Sequence, residues 1–148
     1  MSEMSRKSER RTETLGLVKK LTDERTEMLV LFCRVAGLEP YASHGPVKAL
    51  LANFCEVLVD YIAAGHFALY ERILNGRERR KDVVDVAQEI YSRIAQSTDA
   101  AVDFNDKYER FDESQFAELS RDLSALGETL AARIELEDRL LQALTPER

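Results

Sequence analysis

The chain has no tryptophan, only six glycines and three prolines, and just two cysteines. With so few turn formers, and with strand-forming runs of Val, Ile and Thr scarce, the composition favours an all-helical protein over one rich in strands. Cys33 and Cys55 both lie in apolar helical surroundings and are expected as reduced core residues. A disulfide or redox pair is the alternative for the two cysteines, and two lone cysteines give it little support. No segment joins a basic start to an apolar run, so no secretion signal is expected. The longest uncharged stretch covers residues 61–70, far short of the roughly 20 apolar residues that cross a bilayer. The cytoplasm is therefore the expected location, with no membrane contact. A glycine-rich phosphate loop and a nucleophile elbow are also missing, and nothing in the sequence points to an enzyme.

What is present is charge. Of 148 residues, 32% are charged and only 7% aromatic, a balance that favours a single all-helical domain long enough to bury a core. Residues 1–34 carry a net +2, residues 35–98 a net −1 and residues 99–148 a net −7. An acidic last third argues against direct nucleic-acid binding, which needs Lys and Arg against phosphate. It suits a basic partner, or else a solvated helix face. Arg77, Arg79, Arg80 and Lys81 fall at a turn and are expected to decorate a loop.

Four long helical segments emerge, with residues 1–8 expected to be disordered. The first runs from about Ser8 to Ala36 on a stripe of Leu15, Val18, Leu21, Arg25, Met28, Phe32 and Val35. Gly37 is expected as a left-handed stop, and Pro40 follows. The second runs from Pro46, well suited to a first helical position, to Asn75. The third spans about Glu78 to Phe104, with Val83, Ala87, Ile90, Ile94, Ala101 and Val102 on its apolar stripe. The fourth runs from Glu113 to Leu144 behind Asp112 and Gln115, which resemble a capping box. Its seam is Phe116, Leu119, Leu123, Leu126, Leu130, Arg133, Glu137, Leu140 and Leu144, stepping by three and four. Helices of about 30 residues span about 45 Å, and their similar lengths and short breaks predict an antiparallel up-down-up-down four-helix bundle. Breaks at residues 37–46 and 75–76 disfavour a long coiled-coil dimer.

One stretch stands out. Residues 54–74 read FCEVLVDYIAAGHFALYERIL, apolar almost all the way round a helix and so expected to be buried. Yet they carry Glu56, Asp60, His66, Tyr70 and Glu71, with Gly65 mid-helix. Burying such groups unpaired is costly, and a mid-helix glycine costs about 1 kcal/mol relative to alanine. Gly65 is expected to permit close helix approach. The fourth seam adds Arg133 and Glu137, an opposite-charge pair one turn apart where leucine belongs. These residues do not form a di-metal centre, which needs Glu-x-x-His on each of two helices: position 63 is Ala, and the other histidine, His44, is in a loop. A phosphoryl-accepting role for His66 needs an exposed face, whereas Gly65 and Phe67 beside it suggest burial or a protein contact. Neither cysteine has a base that can be identified from the sequence. Two readings stay open: a satisfied hydrogen-bond network that sets helix register, or a site that meets a partner or a small effector.

LVDYIAAGHFALYERIL, residues 58–74, resembles the signature of the Rsd/AlgQ family of bacterial regulators of the primary sigma factor. NFCEVLVDY (residues 53–61), VAGLEP (residues 35–40) and LGETLAARIELEDRLL (residues 126–141) extend the resemblance from about residue 15 to the C-terminus. It implies a non-enzymatic anti-sigma factor, a four-helix bundle without cofactor or metal. The implied partner is region 4 of the primary (sigma-70) factor, a basic helix-turn-helix that grips promoter −35 DNA and core polymerase. Binding would sequester it. HPr-type phosphocarrier proteins are a further implied partner. Asp60 and Phe67 match family positions associated with sigma binding, Tyr61, His66, Tyr70 and Glu71 match the rest of the signature, and Glu137 matches an acid in the last helix. The chain departs from the family in its first helix: Lys19, Lys20, Leu21 and Thr22 stand where an Asp-Arg-Trp-Leu-like segment is usual. The alternative function is a helical sensor that binds a small effector in an interior polar cavity lined by His66, Tyr70, Arg133 and Glu137.

Overall fold

A computed structural model describes residues 3–37, 45–67, 73–74, 78–110 and 113–144. Four helices follow one another: α1 (Glu3–Ala36), α2 (Gly45–His66), α3 (Lys81–Tyr108) and α4 (Phe116–Leu144), the last entered through a short 3-10 turn, Glu113–Gln115. No strand occurs among the described residues. The helices form the expected antiparallel bundle. α1 lies along α2, α2 along α3 and α3 along α4, while α1 and α4 meet over a much smaller area. Ion pairs show the antiparallel course of α3 and α4: Arg139 pairs with Glu89 at one end, and Lys107 pairs with Glu118 and Asp122 at the other.

The boundaries differ from the sequence expectations in instructive ways. α1 extends back to Glu3. Gly37 ends it without left-handed backbone: its N–H donates to the Cys33 carbonyl at 2.9 Å, an ordinary helical bond. α3 begins at Lys81 and continues to Tyr108, because Phe104 and Tyr108 are both buried and extend the apolar face by one turn. Glu78 stays outside α3 and accepts hydrogen bonds from the Arg80 backbone N–H and side chain. Arg79 and Lys81 are exposed, as a loop cluster should be; Arg77 and the Asp112 of the capping box lie outside the described residues.

The core divides in two. The larger part joins Leu21, Met28 and Val35 of α1, Leu51, Phe54 and Leu58 of α2, Phe104 of α3, and Leu119, Leu123, Leu126 and Leu130 of α4. An aromatic chain crosses it: Phe32 meets Phe54 and Phe54 meets Phe104 edge to face, at 6.0 and 5.9 Å between ring centroids, a geometry that suits the ring quadrupoles. The smaller part joins Ile73, Val83, Ala87, Ile90, Ile94, Leu136, Leu140 and Leu144. Each valine, leucine, isoleucine or phenylalanine among them, fully buried, contributes about 1.5–3 kcal/mol relative to exposure. Along α4, Leu130 belongs to the larger part and Leu136 to the smaller, with Arg133 between them.

Some apolar positions expected in the core are exposed. Leu15 on the α1 stripe and Val102 on the α3 stripe are half exposed. Cys33 is exposed and only Cys55 is buried.

Candidate functional site

Residues 54–67, the described helical part of the segment, are two-faced. Phe54, Cys55, Val57, Leu58, Tyr61 and Ala64 are buried, whereas Glu56, Val59, Asp60, Ala63, His66 and Phe67 are exposed. The exposed set recurs at three- and four-residue steps, one face of a helix. The expectation of all-round burial fails because, among the described elements, α2 packs only against α1 and α3, and the face away from them stays uncovered by any described residue. Asp60 and His66 therefore lie on the surface, not in the interior. Phe67 is 56% exposed, its ring 6.0 Å from the His66 imidazole, edge to face. Tyr70 and Glu71 lie outside the described residues.

The buried polar residues assemble at the division of the core. Arg133 is 1% exposed, Tyr61 0% and Glu137 5%. Arg133 Nε donates to Glu137 Oε2 at 2.9 Å, and its Nη1 donates to Ser97 Oγ at 3.0 Å, Thr98 Oγ1 at 2.9 Å and the Ile94 carbonyl at 3.4 Å. The Tyr61 hydroxyl lies 2.7 and 2.8 Å from the two Glu137 oxygens. Arg25 reaches in from α1, its Nη1 donating to Glu137 Oε1 at 3.3 Å and Asp138 Oδ1 at 3.0 Å. The Arg133 guanidinium also stands over the Tyr61 ring, 5.2 Å from its centroid. Charged groups taken out of water are tolerable only with such pairing.

Tyr61 thus belongs to the network, and its burial removes it from the set of partner-binding residues in which the resemblance placed it. Burial, then the nearby Glu137 charge, push its phenol well above the usual tyrosine range. At Arg25 burial opposes the charged form, but Asp138 and Glu137 outweigh it and hold its pKa above the usual arginine value. Gly65 has a role the sequence pattern did not reveal: a Cβ there would lie 2.6 Å from Arg133 Nη2. The glycine makes room for a guanidinium, where close approach of a second helix was expected. Arg25 was visible only as a misplaced arginine on an apolar stripe, and Ser97 and Thr98 gave no signal.

These bonds support the network reading of Arg133 and Glu137. No grouping of three or more His, Cys, Asp or Glu that could hold a metal occurs among the described residues, and no described helix is long and apolar enough to cross a membrane. The departing segment of α1 divides between surface and core. Lys19 and Lys20 are exposed and pair with Asp23 and Glu24 one turn on, at 2.8 and 3.4 Å, Leu21 is buried in the core, and the Thr22 hydroxyl donates to the Val18 carbonyl.

Comparison with known proteins identifies relatives along most of the chain. The chain is 34% identical over 140 residues to the regulator of sigma D of Yersinia enterocolitica serotype O:8, covering 88% of this chain and 84% of that one. It is 36% identical over 140 residues to the regulator of sigma D of Yersinia pestis, covering 88% and 83%, and 35% identical over 138 residues to that of Salmonella paratyphi B, covering 88% and 85%. No solved structure matches significantly. A family model described as regulator of RNA polymerase sigma(70) subunit, Rsd/AlgQ, matches residues 1–145, and the chain belongs to that family.

Proposed function

We propose that the protein is a non-enzymatic anti-sigma factor of the cytoplasm that binds region 4 of the primary sigma factor through the exposed face of α2. Asp60, His66 and Phe67 form the contact, extended by Tyr70 and Glu71 on the strength of the family signature. Occupying region 4 keeps it from promoter DNA and from core polymerase. The relatives are named regulators of sigma D, which supports a sigma-factor partner. The observation that carries the reading is the exposure of Phe67 beside exposed Asp60 and His66 on one helical face. A half-exposed phenylalanine with polar neighbours suits a protein contact, where aromatic residues are enriched over the rest of the surface, and the net charge of −6 complements a basic partner. HPr-type phosphocarrier proteins are a second partner in this reading.

The test is co-purification and titration of the full chain with the region 4 domain of the host's primary sigma factor. Complex formation that weakens with added salt supports the proposal, since charge steering is screened. No binding at tens of micromolar in low salt overturns it.

A further inference from the structure

Gly65 and Arg133 join the buried network to the exposed face. The Arg133 guanidinium is anchored on α3 by Ser97 and Thr98 and on α4 by Glu137, and its Nη2 lies where a side chain at Gly65 would begin. His66 and Phe67 follow directly, and at Phe67 the backbone passes from α-helical to π-helical. π-helical turns are rare, cost regular hydrogen bonding, and concentrate at functional positions. The end of α2 is thus seated on a rigid polar support just where its contact residues leave the bundle.

We infer that Arg133 is a positioning residue for partner binding: through Gly65 it sets the height and rotation of the α2 end, and so the presentation of His66 and Phe67. The inference rests on the sigma-binding reading of that face. The support is stiff because at least three groups on two helices hold the guanidinium, so a Cβ at position 65 cannot simply push it aside. Displacement falls on the end of α2 instead. Alanine at position 65 leaves Asp60, His66 and Phe67 chemically intact, and any loss of binding it causes is a loss of placement.

The experiment is a double-mutant cycle on the full chain with the purified region 4 domain, using Gly65→Ala and Phe67→Ala singly and together. Thr98→Val serves as a milder variant that removes one anchor of Arg133. Gly65→Ala is expected to weaken binding at least tenfold, and Phe67→Ala to cost several-fold less in the Gly65→Ala background than alone, the non-additivity of coupled residues. Thr98→Val is expected to weaken binding several-fold and to move the backbone amide resonances of His66 and Phe67. If Gly65→Ala fails to fold, Thr98→Val alone decides. Unchanged affinity of the folded variants, or equal costs of Phe67→Ala in both backgrounds, overturns the positioning role. Failure of Phe67→Ala itself to weaken wild-type binding overturns the binding face as well, which distinguishes the two.

Discussion

The Tyr61 hydroxyl lies within 2.8 Å of both carboxylate oxygens of Glu137, 76 residues further along the chain. It donates one hydrogen bond to a charged acceptor, and both partners are buried. Such bonds are worth about 1.5–3 kcal/mol, and their loss leaves an acceptor short of a donor. Tyr61→Phe is expected to lower unfolding stability by about 2 kcal/mol, read from urea denaturation, with helical content retained. A loss within 0.5 kcal/mol would mean that Glu137 draws enough from Arg133 and Arg25.

Alkaline pH acts on the same pair. Burial, then Glu137, raise the Tyr61 phenol above its unfolded value, and burial, then its bond to Asp122, raise that of Tyr108. An acid whose folded pKa is raised keeps its proton in the folded state after the unfolded chain has lost it. Its contribution is complete below the unfolded value, about 10 for tyrosine, and is lost as pH rises toward the folded one. Stability is therefore expected to fall above about pH 10, and to fall less steeply in Tyr61→Phe. Parallel pH profiles for the two proteins would contradict this.

At acid pH the sensitive group is Asp122. Burial works to raise its pKa, but hydrogen bonds from Lys107 and Tyr108, both at 2.6 Å, outweigh it and hold the carboxyl below its usual value. Here the folded state releases the proton first. The contribution is present above the unfolded value near 3.9 and disappears as pH falls through the lower folded one. Asp122→Asn should cost about 1 kcal/mol at pH 7, the upper range for a partly exposed pair, and the difference from wild type should vanish in the acid limb of a denaturation series.

Asp60→Ala and Phe67→Ala separate recognition from folding. Both side chains are exposed, so each substitution should change stability by no more than about 0.5 kcal/mol. Phe67→Ala should weaken region 4 binding about tenfold or more, as loss of an aromatic anchor does, and Asp60→Ala should weaken it most at low salt. Calorimetric titration and thermal melts on the same samples decide. Unfolding of Asp60→Ala would place Asp60 in the structural network.

The two cysteines should differ in reactivity. Cys33 is exposed, while Cys55 is buried and its thiol is pushed up to about 12 by burial and then by Glu109. The thiolate is the reacting form. A thiol reagent at pH 8 should label one site per folded molecule, Cys33, and the second only in denaturant, as peptide mapping would show. Rapid labelling of Cys55 in the folded protein would mean that the aromatic part of the core opens readily.

Much of the bundle was legible from spacing. The seam of α4, with Arg133 and Glu137 one turn apart, follows from three- and four-residue steps, because a straight helix forces residues at those steps onto one side. For the site, periodicity identified the right residues without dividing them. Segment 54–74 is apolar in nearly every direction, so its pattern gave no preferred face and Asp60, Tyr61 and His66 were grouped together. Cys33 was misplaced for a related reason: the residues before it are apolar, but apolar sequence neighbours do not tell which side of α1 is covered.

By itself the sequence determined the helices, their order and the opposite charges on the last seam, since these depend on local propensity and on periodicity along one helix. Which polar groups are buried and which face a partner was decided only in the folded molecule. Arg25 arrives 112 residues before Glu137, Ser97 and Thr98 come from α3, and Gly65 clears space for a guanidinium on α4. Each of these relationships depends on how the helices rotate against one another, and that rotation is set by the packing of all four together.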